Sequence, residues 1–138
     1  MASLIEELID VLEQECTIYE NLYAVSDTKT QAIVKNDIQE LQKITDQEQA
    51  VIDQVLVLEK KRQTIVDNIA VVLNYKGKNM TVADIVRVME GQPDFQIPLS
   101  RLHHRLRNVV MQLQQVNTQN RELLEDALEM TEFSINIL

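Results

Sequence analysis

The segment IVKNDIQEL, Ile33 to Leu41, decides the fold. Before it, Leu4, Ile5, Leu8, Ile9, Leu12, Tyr19, Leu22, Tyr23, Ile33 and Val34 recur at steps of three and four. That spacing puts them on one stripe of a helix running from Ser3 to Lys35. Cys16, Ser26 and Thr30 fall on the same stripe as small residues that allow close approach. After it, Ile38, Leu41, Ile44, Val51, Ile52, Val55, Leu58, Ile65, Val66, Ile69, Val72 and Leu73 define a second helix from Asp37 to Asn74. Neither Gly nor Pro interrupts Asn36-Asp37, so the local residues fit both a tight turn and an unbroken helix. Length favours the turn. Unbroken from Ser3 to Asn74, the helix would be on the order of 100 Å long, more than one chain of 138 residues covers. Asp37, with Glu40 three residues on, has capping-box spacing for a new helix.

Caps and breakers divide the rest. Ser3 with Glu6 suits the start of the first helix, and Glu6 and Glu7 suit its dipole. Tyr75–Asn79 is a loop in which Gly77 supplies the freedom to end the second helix. Thr81 and Asp84 cap a short helix, Val82 to Glu90, whose Val82, Ile85, Val86 and Met89 face the long helices. Gly91 to Pro98 reads as a second loop, fixed by Pro93 and Pro98, with Phe95 and Ile97 tucked inward. The last helix begins at Leu99 or Ser100 and continues to Leu138, roughly 60 Å. Its stripe is Leu99, Leu102, Leu106, Val109, Val110, Leu113, Val116, Leu123, Leu124, Ala127, Leu128, Ile135 and Leu138. The fold class is therefore all-α, one domain over residues 1–138. Three long helices form an antiparallel bundle (1–35, 37–74 and 99–138), with a short helix (81–90) inserted before the third.

Composition agrees. Hydrophobic residues make up 45%, ample for a core, and two Gly, two Pro and no Trp leave few breakers and few aromatics. The formal charge of −9 disfavours nucleic acid and anionic membrane surfaces, which need a cationic footprint. Cys16 is the single cysteine, so no internal disulfide forms, and a reducing compartment is the simplest reading. The N-terminus lacks the cationic-then-apolar pattern of a signal peptide, and no apolar run approaches the roughly 20 residues of a membrane span. The expected location is cytoplasmic.

Chemistry is sparse. Adjacent His103 and His104 point about 100° apart on a helix, and neither has a Glu, Asp, His or Cys four residues away. That leaves them at the seam edge and in solvent, and no metal ligand is expected. Arg101, Arg105 and Arg107 form the basic patch, read as a solvated face. Glu59, Lys60, Lys61 and Arg62 read as a solvated edge, although Thr45, Glu48, Glu59 and Arg62 also fall on the seam of the second helix. Polar residues there lower stability and fix register. No phosphate loop, nucleophile elbow, paired-histidine motif or Glu-x-x-His pair occurs. No enzyme and no cofactor are expected. What is left is binding through a helix surface. The end of the last helix carries Leu123, Leu124, Leu128, Met130, Phe133, Ile135, Ile137 and Leu138, a stripe wider than one packed seam needs. Methionine suits interfaces that re-pack.

Three stretches resemble one family. They are the striped opening Leu4–Ile52 with IVKNDIQEL inside it, LEKKR (Leu58 to Arg62), and VNTQNRELLEDAL (Val116 to Leu128), which leads into the apolar tail. In this order and spacing the chain resembles the FlgN-like flagellar export chaperones, nearly end to end. The resemblance implies a small acidic cytosolic chaperone without ATPase activity. Such a chaperone holds the C-terminal segments of the hook–filament junction proteins soluble and passes them to the flagellar type III export gate. It implies a partner-binding tail over 117–138, carried by Asn117, Asn120, Arg121, Leu123, Leu124 and Leu128, followed by Thr131 and Ile135. Two other readings compete: a coiled-coil scaffold that self-associates through the same tail, and a chaperone for a different flagellar or secretion client.

Overall fold

A computed structural model describes residues 1–77 and 79–136, with side chains over 1–77 and 79–127. Among these, the chain forms α1 (Ala2–Val34), α2 (Ile38–Val72), α3 (Val82–Val88) and α4 (Pro93–Asn136), with a 3-10 turn at Met89–Gly91. This is the expected all-α bundle with a short inserted helix. Arg62 meets Glu15 and Glu48 meets Lys29, so α2 runs antiparallel to α1. Leu102 lies against Cys16 and Asn120 against Thr30, so α4 runs parallel to α1. The sequence did not say which helix is central. It is α1, packed along α2 on one side and α4 on the other.

The packed positions follow a heptad. On α1 they are Ile5, Leu8, Leu12, Glu15, Tyr19, Leu22 and Ser26; on α4 they are Leu99, Leu102, Leu106, Val109, Leu113, Val116 and Asn120. Steps of three and four alternate without a slip, as in coiled-coil seams. The largest apolar cluster gathers Ile5, Leu8 and Leu12 with Ile65 and Ile69, then Ile85 and Met89 of the inserted segment, then Leu99 to Val109. A smaller cluster of Leu22, Val55, Leu113 and Val116 lies toward the α1–α2 turn. Apolar packing is therefore concentrated where α3 docks and thins toward the turn.

Helix ends explain the topology. Asp37 caps α2, its side chain accepting from the Glu40 N–H at 3.1 Å. Both α1 and α2 stop on an asparagine in the left-handed region: Asn36 at φ 54° and Asn74 at φ 52°. At each, two backbone N–H groups reach back to satisfy terminal carbonyls: Asn36 to Ile33 and Asp37 to Ala32, and Asn74 to Val71 and Tyr75 to Ala70. This is the Schellman arrangement, which asparagine supports because its short polar side chain tolerates positive φ. Thr81 and Asp84 form the reciprocal capping box.

Five local expectations are corrected. Ser3 does not cap α1; the helix already begins at Ala2 with Met1 at the N-cap and no side-chain cap. Glu6 and Glu7 thus fall beyond the first turn. Gly77 does not end α2, which ends at Val72 and is closed by the left-handed Asn74, and no glycine has positive φ. The short helix ends as α-helix at Val88 and tightens into the 3-10 turn. Most consequentially, Gly91–Pro98 is not all loop, because α4 starts at Pro93 and carries Pro98 inside it. Proline suits the first helical position, where the missing N–H would have no partner anyway. Phe95 packs on the core, whereas Ile97 is exposed.

A candidate partner-binding surface on α4

The buried seams carry polar pairs that set how α1, α2 and α4 align. Glu15 is fully buried and accepts from Arg62 through Oε2 at 2.9 Å; its Oε1 has no partner. Burial, opposed by Arg62 and reinforced by Glu59, pushes the Glu15 carboxyl up to about 7. One turn on, the Tyr19 hydroxyl donates to Glu59, and burial followed by that bond raises the phenol further above its usual range. Ser26 donates to Glu48 Oε2 at 2.7 Å while Lys29 Nζ pairs with Oε1 at 2.9 Å. On the α4 side, the buried Cys16 thiol lies 3.6 Å from the Leu102 carbonyl, and Arg105 pairs with Glu20. Burial raises the Cys16 thiol above its usual value. Glu59 and Arg62 are thus tied to α1, correcting the solvated-edge reading, while Lys60 and Lys61 are exposed. Glu15 was missed although the sequence marked it: it sits between Leu12 and Tyr19 at the three–four spacing of the stripe.

Asn120 closes the last heptad. It is 3% exposed. Its Oδ1 accepts from Thr30 Oγ1 at 2.6 Å and its Nδ2 donates to the Ser26 carbonyl at 2.9 Å. Both ends of the amide are used inside the bundle, so in this state Asn120 anchors α4 and faces no partner. Beyond it the seam opens. Leu123 and Leu124 are half-buried, and Glu125, Asp126 and Ala127 are exposed. Asn117 and Arg121 are exposed on the outer side. The side chains of Leu128, Thr131 and Ile135 lie outside the described residues, though helical backbone continues to Asn136.

Register gives this surface its shape. Thr30 is level with Asn120, so Val34, at the end of α1, is level with about Leu124. The α4 backbone therefore runs past the α1–α2 turn for roughly 18 Å at about 1.5 Å per residue. Exposed Val34 and Ile38, 69% and 72% accessible, flank that turn. A projecting helix and an apolar rim make a surface suited to another amphipathic helix, recognised by i, i+3, i+4 and i+7 contacts.

Among the described residues there is no group of three or more His, Cys, Asp or Glu able to hold a metal ion, and no helix long and apolar enough to cross a membrane. His103 is half-buried and held below its usual value by burial, then by Arg107 and His104. The fold is an all-α bundle whose longest helix runs past its neighbours. The FlgN protein family matches residues 1–138, and the chain belongs to that family, a family of flagellar export chaperones rather than an enzyme family. It is also similar to the uncharacterized protein YvyG of Bacillus subtilis strain 168. The two are 28% identical over 131 residues, 95% of this chain and 78% of that protein. No solved structure matches.

Proposed function

We propose that this export chaperone serves the hook–filament junction proteins. In this reading it works in the cytoplasm, binds the C-terminal helical segments of those clients through the distal part of α4, keeps them unassembled and delivers them to the flagellar export gate. The observation that carries the proposal is the extension of α4 beyond Leu124, past the end of α1, where among the described residues no other helix lies opposite it. Arg121, Leu123 and Leu124, followed by Leu128, Thr131 and Ile135, form the contact line, with Asn117 at its near edge. Asn120 contributes by fixing α4 against α1. Covering such a line gains about 25 cal/mol per Å² of apolar area before ordering costs.

The test compares the full chain with a chain truncated after Leu124, which keeps Asn120 and the heptad seam. Calorimetry against a C-terminal segment of a junction protein should give a one-to-one complex with the full chain and none with the truncated one, whose helical circular dichroism per residue stays near that of the parent. Equal binding by the truncated chain would remove the assigned surface. Concentration-dependent dimerisation lost on truncation, with no client complex, would favour the self-associating scaffold instead.

A further inference from the structure

Away from the distal surface, α1, α2, α3 and α4 converge on a crevice of about 280 Å³. Its walls include Leu12 of α1, Val82 of α3 and Leu106 of α4, and its polar groups are Arg62, His103 and Arg107. No acidic residue lines it, in a chain whose formal charge is −9. Arg62 spends Nη1 on Glu15, leaving the other donors of a guanidinium that carries five. Arg107 and His103 have no hydrogen-bond or ion-pair partner among the described residues. Of the basic residues nearby, Arg105 is turned away to Glu20, and Arg101 and His104 line a different surface on the Glu20 side of α4. The crevice therefore holds one unpaired guanidinium, Arg107, beside the His103 ring and the remaining N–H donors of the Glu15-paired Arg62, above an apolar floor.

We propose that this crevice binds a small aliphatic carboxylate, with the acid group between Arg107, His103 and the free edge of Arg62, and the alkyl part against Leu12, Val82 and Leu106. A carboxylate suits the fork of an arginine better than a hydroxyl or amide does, because charge-assisted pairs are short and can be bidentate. The volume falls just below the roughly 300–1,000 Å³ of drug-sized sites, which limits the occupant to a short chain. Two sources supply that chemistry: a free medium-chain acid, and the last residue of a polypeptide ending in Leu or Ile. This site is independent of the client surface on distal α4.

The test is an NMR titration of the His103 ring in the full-length protein. The probes are octanoate, octanol, and acetyl-Ala-Ile-Leu as free acid and as amide. An acid should bind, raise the His103 midpoint by neutralising Arg107, and leave His104 less affected. Arg107→Gln should weaken binding at least about tenfold, the equivalent of about 1.4 kcal/mol for a lost charged hydrogen bond; Arg101→Gln should leave it unchanged. Octanoate binding alone assigns a small acid, and binding of the peptide acid but not its amide assigns a polypeptide terminus. The proposal is overturned if neither acid binds at millimolar concentration, if octanol or the amide binds as well as its acid, or if Arg107→Gln has no effect. Because Arg107 is exposed, its loss leaves the fold intact, and unchanged circular dichroism verifies that.

Discussion

Replacing Glu15 by Gln should flatten the dependence of stability on pH. Glu15 is fully buried between α1 and α2, with Arg62 on one oxygen and nothing on the other. Burial raises its carboxyl from the ordinary 4.5 to about 7. A carboxyl raised on folding favours the protonated folded state. Its stabilisation is complete below 4.5 and is lost as pH rises through about 7. At about 1.36 kcal/mol per pH unit of displacement, the native protein loses on the order of 2–3 kcal/mol at this site between pH 5 and pH 8. With a urea dependence of about 1–3 kcal/mol per molar, the unfolding midpoint falls by about 1 M relative to Glu15→Gln, whose amide fills the same space and does not titrate. Arg62→Gln removes the one group pulling the carboxyl down and should steepen the loss. The assay is urea unfolding of all three chains at pH 5, 6, 7 and 8. A constant gap between the native chain and Glu15→Gln across that range, or a gap changing in the opposite direction, refutes the reasoning.

Three further outcomes are expected. Asn120→Ala leaves Thr30 without its acceptor and removes the last buried tie between α1 and α4; it should cost about 1–3 kcal/mol in thermal unfolding and increase amide exchange in α4 beyond Val116. The buried Cys16 thiol, raised by burial and lying against the Leu102 carbonyl, should react with a thiol reagent far more slowly in the native chain than in urea. Asn36→Ala keeps the β-carbon at φ 54° but removes the polar side chain that makes this conformation tolerable; it should lower stability by about 1 kcal/mol, whereas Asn36→Gly should change it little, as read by paired denaturation curves.

Periodicity carried most of the fold. Leu99, Leu102, Leu106, Val109, Leu113 and Val116 are all buried as their spacing required. The turn at Asn36-Asp37 followed from length and from the Asp37 cap. What sequence misjudged were breakers and caps, whose meaning depends on position. Pro93 reads as a loop residue, yet at the first helical position its fixed φ is already helical. Gly77 reads as a terminator, yet Asn74 does that work through its own tolerance of positive φ. The candidate surface was legible as an apolar excess beyond Asn117. The inward turn of Asn120 was not, because an asparagine on a heptad seam reads alike whether its partner is Thr30 or another chain. The Glu15–Arg62 pair was hidden for a related reason: each residue sat on its own stripe, and only the register of α1 against α2 brings them together.

The placement of α1 in the middle has a consequence for the order of assembly. Its ties to α2 span 19 to 47 residues of chain, whereas its ties to α4 span 85 to 94. Closing the longer span costs more entropy and is met later. The α1–α2 hairpin should therefore form first, leaving one face of its central helix open until α4 arrives. The element proposed to carry the partner surface should then be the last to join, so its seam against α1 is the natural place for the native bundle to begin to open.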